Sequence, residues 1–345
     1  MKISAALHSP ATIKLLFVAA GIGLTTSALT HLLHAPVLDP LLFSLLLGIL
    51  LRALLKDRIN PTDAATRVGH GLILPGIICY AVANLEFTTV ASLPPRSLLL
   101  LAIVVAICFG TIFLLGRHLG QTREITSLVA TGSAICGASA IAITAPAVRA
   151  RSEDVSISLL AVTMSALVAL FVVLPFCGAL LRMVPADYAL LSGSLLQFTG
   201  FVKEAMAQFH FQGGGAGMVD ATRLAMLVKA TRYLALIVCI PLVASLAHGR
   251  LTLPLSLWLY LGAGIGGTLF HATYPLAYAT YLLPFAQLGY QLLWSVTMAA
   301  IGLSADVRDL LSVNGYRAFW MALAGFVAAL LSFLLFWWLF FPNGA

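Results

Sequence analysis

The sequence predicts an all-α polytopic membrane protein of about eleven transmembrane helices. The 345-residue chain is 61% hydrophobic and only 9% charged, where a soluble domain carries about 25% charged residues. Apolar runs of roughly 20 residues, the length that crosses the hydrocarbon core as a helix, succeed one another with short polar connections. No tail or loop is long enough to form a separate soluble domain. The formal charge of +7 does not mark a nucleic-acid binder. The Lys and Arg residues sit in short loops between apolar runs and form no stripe on a soluble face.

The first run, 12–33, abuts Lys14 and lacks a small-x-small cleavage site, so it is expected to stay as a span rather than leave as a signal peptide. Further runs lie at 37–55, 68–85, 97–116, 124–148, 155–181, 187–208, 220–247, 252–271, 277–303 and 316–341. The run at 187–208 is amphipathic, because Gln197, Lys203, Glu204 and Gln208 fall within it. Arg52, Lys56, Arg58 and Arg67 follow the second span, Arg117 and Arg123 the fourth, Arg182 the sixth, Arg250 the eighth, and Arg308 and Arg317 the tenth. The positive-inside rule then puts the N-terminus in the cytoplasm and the C-terminus on the opposite side of the membrane. Arg149 and Arg151 break the pattern beside Glu153 and Asp154, and Ser152 or Asp154 is positioned to cap the next helix. The stretch Phe211–Gly217 lacks the lysine of a phosphate loop and reads as a hinge.

Eleven spans divide into one extra N-terminal helix (1–36) and two five-helix repeats (37–185 and 186–345), the second necessarily inverted. Span five supports this division. Its middle, Thr131 to Ala140, is made of small residues, and Pro146 follows. A lipid-facing helix has no reason for such a centre, whereas a helix that breaks at mid-membrane frees backbone groups to line a site. Span ten is fourth in its repeat, as span five is, and its end from Thr297 through Gly302 to Ser304 is again small and uncharged. Two interrupted helices in matched positions point to a transporter. The competing account is that small residues only allow close helix packing.

A broken helix offers carbonyls at one half-helix end, which suit a cation, and amide donors at the other, which suit an anion. A cation antiporter normally needs an intramembrane carboxylate. None lies between Ile125 and Ala150 or between Tyr281 and Ser304, which favours an anion held by N–H and O–H groups. Lys229 and Arg232 lie three apart on one face of span eight. Each costs about 2.5–3.5 kcal/mol at a helix centre, so each is expected to face a cavity or a partner. The candidate substrate-binding residues are Gly132, Ser133, Cys136, Gly137, Ala138, Ser139, Lys229, Arg232, Thr297, Gly302 and Ser304, with Gln197 and Glu204 as candidates for coupling or gating. Snorkelling, or pairing of the cations with Glu204 or Asp220, is the plainer alternative. The five cysteines lie in apolar segments without metal-ligand spacing, and His70, His118 and His271 sit near span ends. No metal or cofactor is expected. No acid or histidine accompanies Cys136, so no enzyme is expected either. A passive anion channel is the rival reading, although it needs no pair of interrupted helices.

The run Gly132-Ser133-Ala134-Ile135-Cys136-Gly137-Ala138-Ser139-Ala140-Ile141-Ala142, with Ala145-Pro146 and Glu153, resembles the hallmark of the YeiH-type (UPF0324) bacterial membrane proteins. Leu74-Pro75-Gly76-Ile77, Val228-Lys229-Ala230-Thr231-Arg232 and Met298 to Ser304 agree in order and spacing. The activity ascribed to that family is sulfate export, and it belongs among bile-acid-symporter-like and cation/proton-antiporter-like transporters. The resemblance implies a core domain with two crossing broken helices, a panel of outer helices, and alternating access coupled to H+ or Na+. The implied partner is sulfate or a related sulfur oxyanion or sulfonate, and a homodimer is compatible with it. This chain departs from the family in span seven, where Gln197, Phe198 and Phe201 stand in place of the usual histidine, acid and glutamine.

Overall fold

The computed structural model describes residues 17–26, 40–55, 62–85, 87, 93–209, 215–248, 253–304 and 312–340. Every regular element among these residues is helical. In chain order they are α1 (Phe17–Thr26), α2 (Pro40–Leu55), α3 (Thr62–Asn84), α4 (Pro95–His118), α5 (Arg123–Thr131), α6 (Ala138–Val148) and α7 (Ser152–Val168). Then follow α8 (Pro185–Leu195), α9 (Thr199–Gln208), α10 (Gly215–Thr231), α11 (Leu236–His248), α12 (Leu255–Thr273), α13 (Leu283–Ser304) and α14 (Val313–Phe340). A wide turn joins α7 to the helical tail Leu174–Leu180, and a tight turn, Arg232–Ala235, joins α10 to α11. Four stretches of the described residues are long and apolar enough to cross a membrane: Pro95–His118, Ser152–Leu180, Asp220–Ala247 and Val313–Phe340. The chain is a membrane protein, helical throughout its described regular elements.

Local chemistry sets the helix ends. Pro95 and Pro185 open α4 and α8 at positions where a missing N–H costs nothing. The Thr122 side chain accepts from the Ile125 amide at the start of α5. At the start of α7 the Arg151 amide donates to Asp154 Oδ2 at 2.9 Å, so Asp154 reaches back over the first turn as the capping expectation required. Ahead of it, Arg149 takes a φ of 55° while the Ala150 amide closes onto Ala145 O, which ends α6 in a left-handed cap. Pro146 lies within α6 and is not the break.

Packing divides the chain into two compact units, one drawn from residues 1–86, 142–157 and 240–316, the other from 87–141, 158–239 and 317–345. In the first unit α13 packs on α2 and α3, and α12 on α3. This corrects one expectation from the sequence. Span ten is not interrupted near Thr297, because α13 runs unbroken from Leu283 to Ser304. Its small residues serve close packing. A Cβ on Gly302 would meet the Leu45 carbonyl oxygen, with the Gly48 Cα 3.1 Å away, so the backbones of α2 and α13 approach one another over a pair of glycines. Thr297 Oγ1 donates to Leu293 O of its own helix at 2.8 Å. The side chain of Ser304 lies outside the described residues. The buried Trp294 fills the space above Gly76, donates from Nε1 to Ile73 O at 3.3 Å, and lies against Tyr80.

In the second unit α5 packs on α4, and α8 and α9 pack on α10. Gly193 lets α8 sit against the Ala225 carbonyl and Val228 of α10. Gly116 makes room for Thr126, and Gly325 of α14 for Ile112 of α4. Tyr188 stacks on Phe209 with ring centroids 3.8 Å apart, closing the ends of α8 and α9 together. Residues 210–214 of the expected hinge lie outside the described residues.

Candidate functional site

Span five is broken as expected. Below Thr131 the helix widens into a π turn, Gly132–Cys136, closed by the Gly137 amide onto Gly132 O at 2.9 Å. Gly137 then takes φ 66° and ψ −123°, a combination sterically closed to residues with a Cβ. The chain re-enters a helix at Ala138, and the first bond of α6 runs from the Ile141 amide to Gly137 O. The break leaves carbonyls before Gly137 and the amides of Ala138, Ser139 and Ala140 after it without partners inside a helix.

The second break falls where the sequence was least decisive, in span seven. Helix α8 stops at Leu195, residues Leu196 and Phe198 take extended backbone, and α9 begins at Thr199. The expectation that the interruptions occupy matched fourth positions of two repeats is therefore not met. The two breaks touch. A Cβ on Gly137 would stand 2.7 Å from Phe198 Cε1, so the bend in span five accepts the ring presented by the bend in span seven.

Both breaks are held by the end of α10 and the tight turn that follows it. Lys229 is 1% exposed and donates to Ile135 O at 2.6 Å. Arg232 is 3% exposed. Its Nε donates to Ala134 O at 3.3 Å, and its Nη2 to Ala134 O at 2.8 Å and Ser133 O at 3.4 Å. Its Nη1 donates to Leu196 O at 2.8 Å and Gly193 O at 3.3 Å. One guanidinium thus bridges the carbonyl ends of both interrupted helices. Tyr233 completes the turn: its ring lies 5.6 Å below the Lys229 ammonium and its hydroxyl bonds Thr199 Oγ1 at 3.0 Å.

Neither cation has a carboxylate partner among the described residues. Glu204 instead accepts from Gln208 on its own helix at 2.6 Å, and Asp220 is exposed. The structure thus leaves Glu204 outside the constellation, and pairing of the cations with either acid is overturned. Lys203 is exposed, as expected of surface charge. Gly132, Ser133, Cys136, Gly137, Ala138, Lys229 and Arg232 come together, with Ser139 beside them and half-buried. Gln197, 1% exposed, sits in the second break with its Oε1 unpartnered. The hydroxyls of Ser133 and Ser194 are buried and likewise have no hydrogen-bond partner among the described residues. Thr297 and Gly302 belong to the other compact unit and pack there. Sequence reasoning missed the break at Leu196–Phe198 and the part of Ser194. The available signal was Ser192-Gly193-Ser194 with Gln197, which repeats the small, polar character of span five.

Residues 11–322 match the family described as conserved hypothetical protein 698. A UPF0324 membrane protein of Archaeoglobus fulgidus is 28% identical over 87% of this chain and 85% of its own length. One from Agrobacterium fabrum is 28% identical over 81% and 78%, and one from Pseudomonas aeruginosa is 32% identical over 58% and 56%. No solved structure matches the chain. The extent of the family match and the run of UPF0324 relatives place the chain in that family: it is a UPF0324 membrane protein.

Proposed function

We propose that the protein is a secondary transporter that carries a small anion, sulfate or a related sulfur oxyanion or sulfonate, across the bacterial inner membrane by alternating access. One observation carries the reading: two buried cations stand at the meeting point of two broken helices without a carboxylate beside them among the described residues. Buried charges are costly and are kept where function or pairing requires them. Here the carbonyl ends of the breaks are already occupied by Lys229 and Arg232, which leaves the amide ends and buried hydroxyls for the substrate, and these are donors suited to an anion. The eleven-span count, the cytoplasmic N-terminus and the two-half organisation belong to this proposal, with the second break moved to the first span of the second half. The reading makes the chain a carrier and not an enzyme.

Purified protein in liposomes, loaded with unlabelled sulfate and presented with labelled sulfate, sulfite or a small sulfonate, tests it. Saturable uptake accelerated by internal substrate supports exchange by a carrier. Uptake that never saturates and shows no counter-exchange identifies a channel. Collapse of a pH gradient on adding sodium, with no anion movement, identifies a cation antiporter.

A further inference from the structure

The two cations are not equivalent, and counting their donors separates them. A guanidinium carries five N–H groups and an ammonium three. Arg232 makes five hydrogen bonds, all to main-chain carbonyls: Ser133 and Ala134 in one break, Gly193 and Leu196 in the other. No N–H remains for a substrate. Lys229 makes one, to Ile135 O. Its other two N–H groups have no acceptor among the described residues, and the face of Tyr233 lies 5.6 Å away. The polar side chains at the two breaks are also incomplete. Ser133 Oγ and Ser194 Oγ are buried without a partner among the described residues, and the backbone at each is gripped by Arg232, through Ser133 O on one side and the Gly193–Ser194 peptide on the other. A buried hydroxyl or ammonium hydrogen without an acceptor is rare in a finished interior and costs free energy until one arrives.

We propose that Lys229, with the hydroxyls of Ser133 and Ser194, forms the direct contact with the transported anion, and that Arg232 is a positioning residue that clamps the two breaks into one body and never touches the substrate. The proposal rests on the anion-transporter reading above and assigns its roles. Contact by an ammonium and two hydroxyls suits an oxyanion, which offers several acceptor oxygens in different directions, better than a spherical halide.

The full-length protein in detergent, titrated with sodium sulfate by calorimetry and followed by sulfate exchange in liposomes, tests this. The K229Q variant is expected to raise the half-saturating sulfate concentration at least tenfold, and K229R to restore it to within about threefold. The S133A/S194A double variant removes hydroxyls that bond nothing among the described residues, so it is expected to keep the wild-type melting temperature while weakening sulfate about tenfold. This arm remains informative if K229Q does not fold. R232K, which leaves two of the five bonds unmade, is expected to lower the melting temperature and the exchange rate while the folded fraction binds sulfate within twofold of wild type. Sulfate affinity within twofold of wild type in S133A/S194A or K229Q, or a loss in R232K equal to that in K229Q, overturns the assignment. A wild-type protein that binds and exchanges no sulfate, sulfite or sulfonate overturns the transporter reading with it, which separates the two failures.

Discussion

Replacing Gly137 by alanine tests the geometry on which the site depends. At φ 66° and ψ −123°, an L-residue lies outside the left-handed well as well as the right-handed one, and a strained position of this kind costs about 1–3 kcal/mol. The new methyl also has no room. It would stand 2.7 Å from Cε1 and 2.8 Å from Cζ of Phe198, a ring that is 1% exposed and packed against Phe201, and overpacking of this kind costs about 1–3 kcal/mol. The two add to roughly 2–6 kcal/mol. Gly132→Ala is the internal control. Gly132 is helical at φ −61° and ψ −51°, so alanine gains about 1 kcal/mol of helix propensity there. Its methyl would meet Ile141 Cδ1 and Cγ1, both at 2.9 Å, side-chain atoms whose displacement comes at a comparable cost. Melting in detergent, followed by far-UV circular dichroism, should place Gly132→Ala close to wild type and Gly137→Ala well below it. Equal melting temperatures, or the reverse order, would refute the argument that the break is set by a glycine-only backbone.

Three further substitutions test the packing. Gly302→Val puts a side chain against the Leu45 carbonyl and the backbone of Ile49, which cannot move aside as a side chain can. It should cost at least the upper end of the usual overpacking range, about 3 kcal/mol, and appear as loss of monodisperse protein in size-exclusion chromatography. Trp294→Phe removes the Nε1 bond to Ile73 O, with an expected loss of about 1 kcal/mol in a denaturant titration. Asp154→Ala deletes the bond from the Arg151 amide and should cost about 1 kcal/mol, typical of a helix cap. Asp154→Asn, which keeps an acceptor there, should recover most of it, because the Arg151 side chain is 70% exposed and its ion pair contributes little.

What could be read in the sequence, and what could not, follows from the range of the interactions involved. The break in span five was legible because its cause is local: a run from Thr131 to Ala140 without bulk, containing the glycine that the bend requires. The face shared by Lys229 and Arg232 was legible because helical periodicity fixes it. Their partners were not, since they lie 36 to 99 residues away in the chain and are main-chain oxygens, which every residue has. Span ten misled for the same reason. Small residues at a helix centre permit either a break or a close crossing, and only the glycine of α2 facing Gly302 distinguishes them. The break in span seven was obscured by Gln197, Lys203 and Glu204, which read as an amphipathic surface helix although Gln197 is buried and Lys203 is exposed.

The placement of the two cations also bears on the coupling ion. A sodium site built from broken helices uses the carbonyls at their C-terminal ends, each end carrying about half a negative charge. In this chain those ends are occupied: Ser133, Ala134 and Ile135 on one side and Gly193 and Leu196 on the other accept from tethered cations. A sodium ion would have to displace a guanidinium held by five bonds and then sit beside it. The repulsion between two unit charges about 4 Å apart is about 4 kcal/mol at an effective dielectric constant of 20, enough to weaken sodium roughly a thousandfold. The dipoles of two carbonyl ends and two amide ends cancel to first order, so the fixed charge at the junction is that of Lys229 and Arg232, which favours an anionic guest and disfavours a cationic one. The anion exchange proposed above should therefore proceed at an unchanged rate when choline replaces sodium on both sides of the membrane.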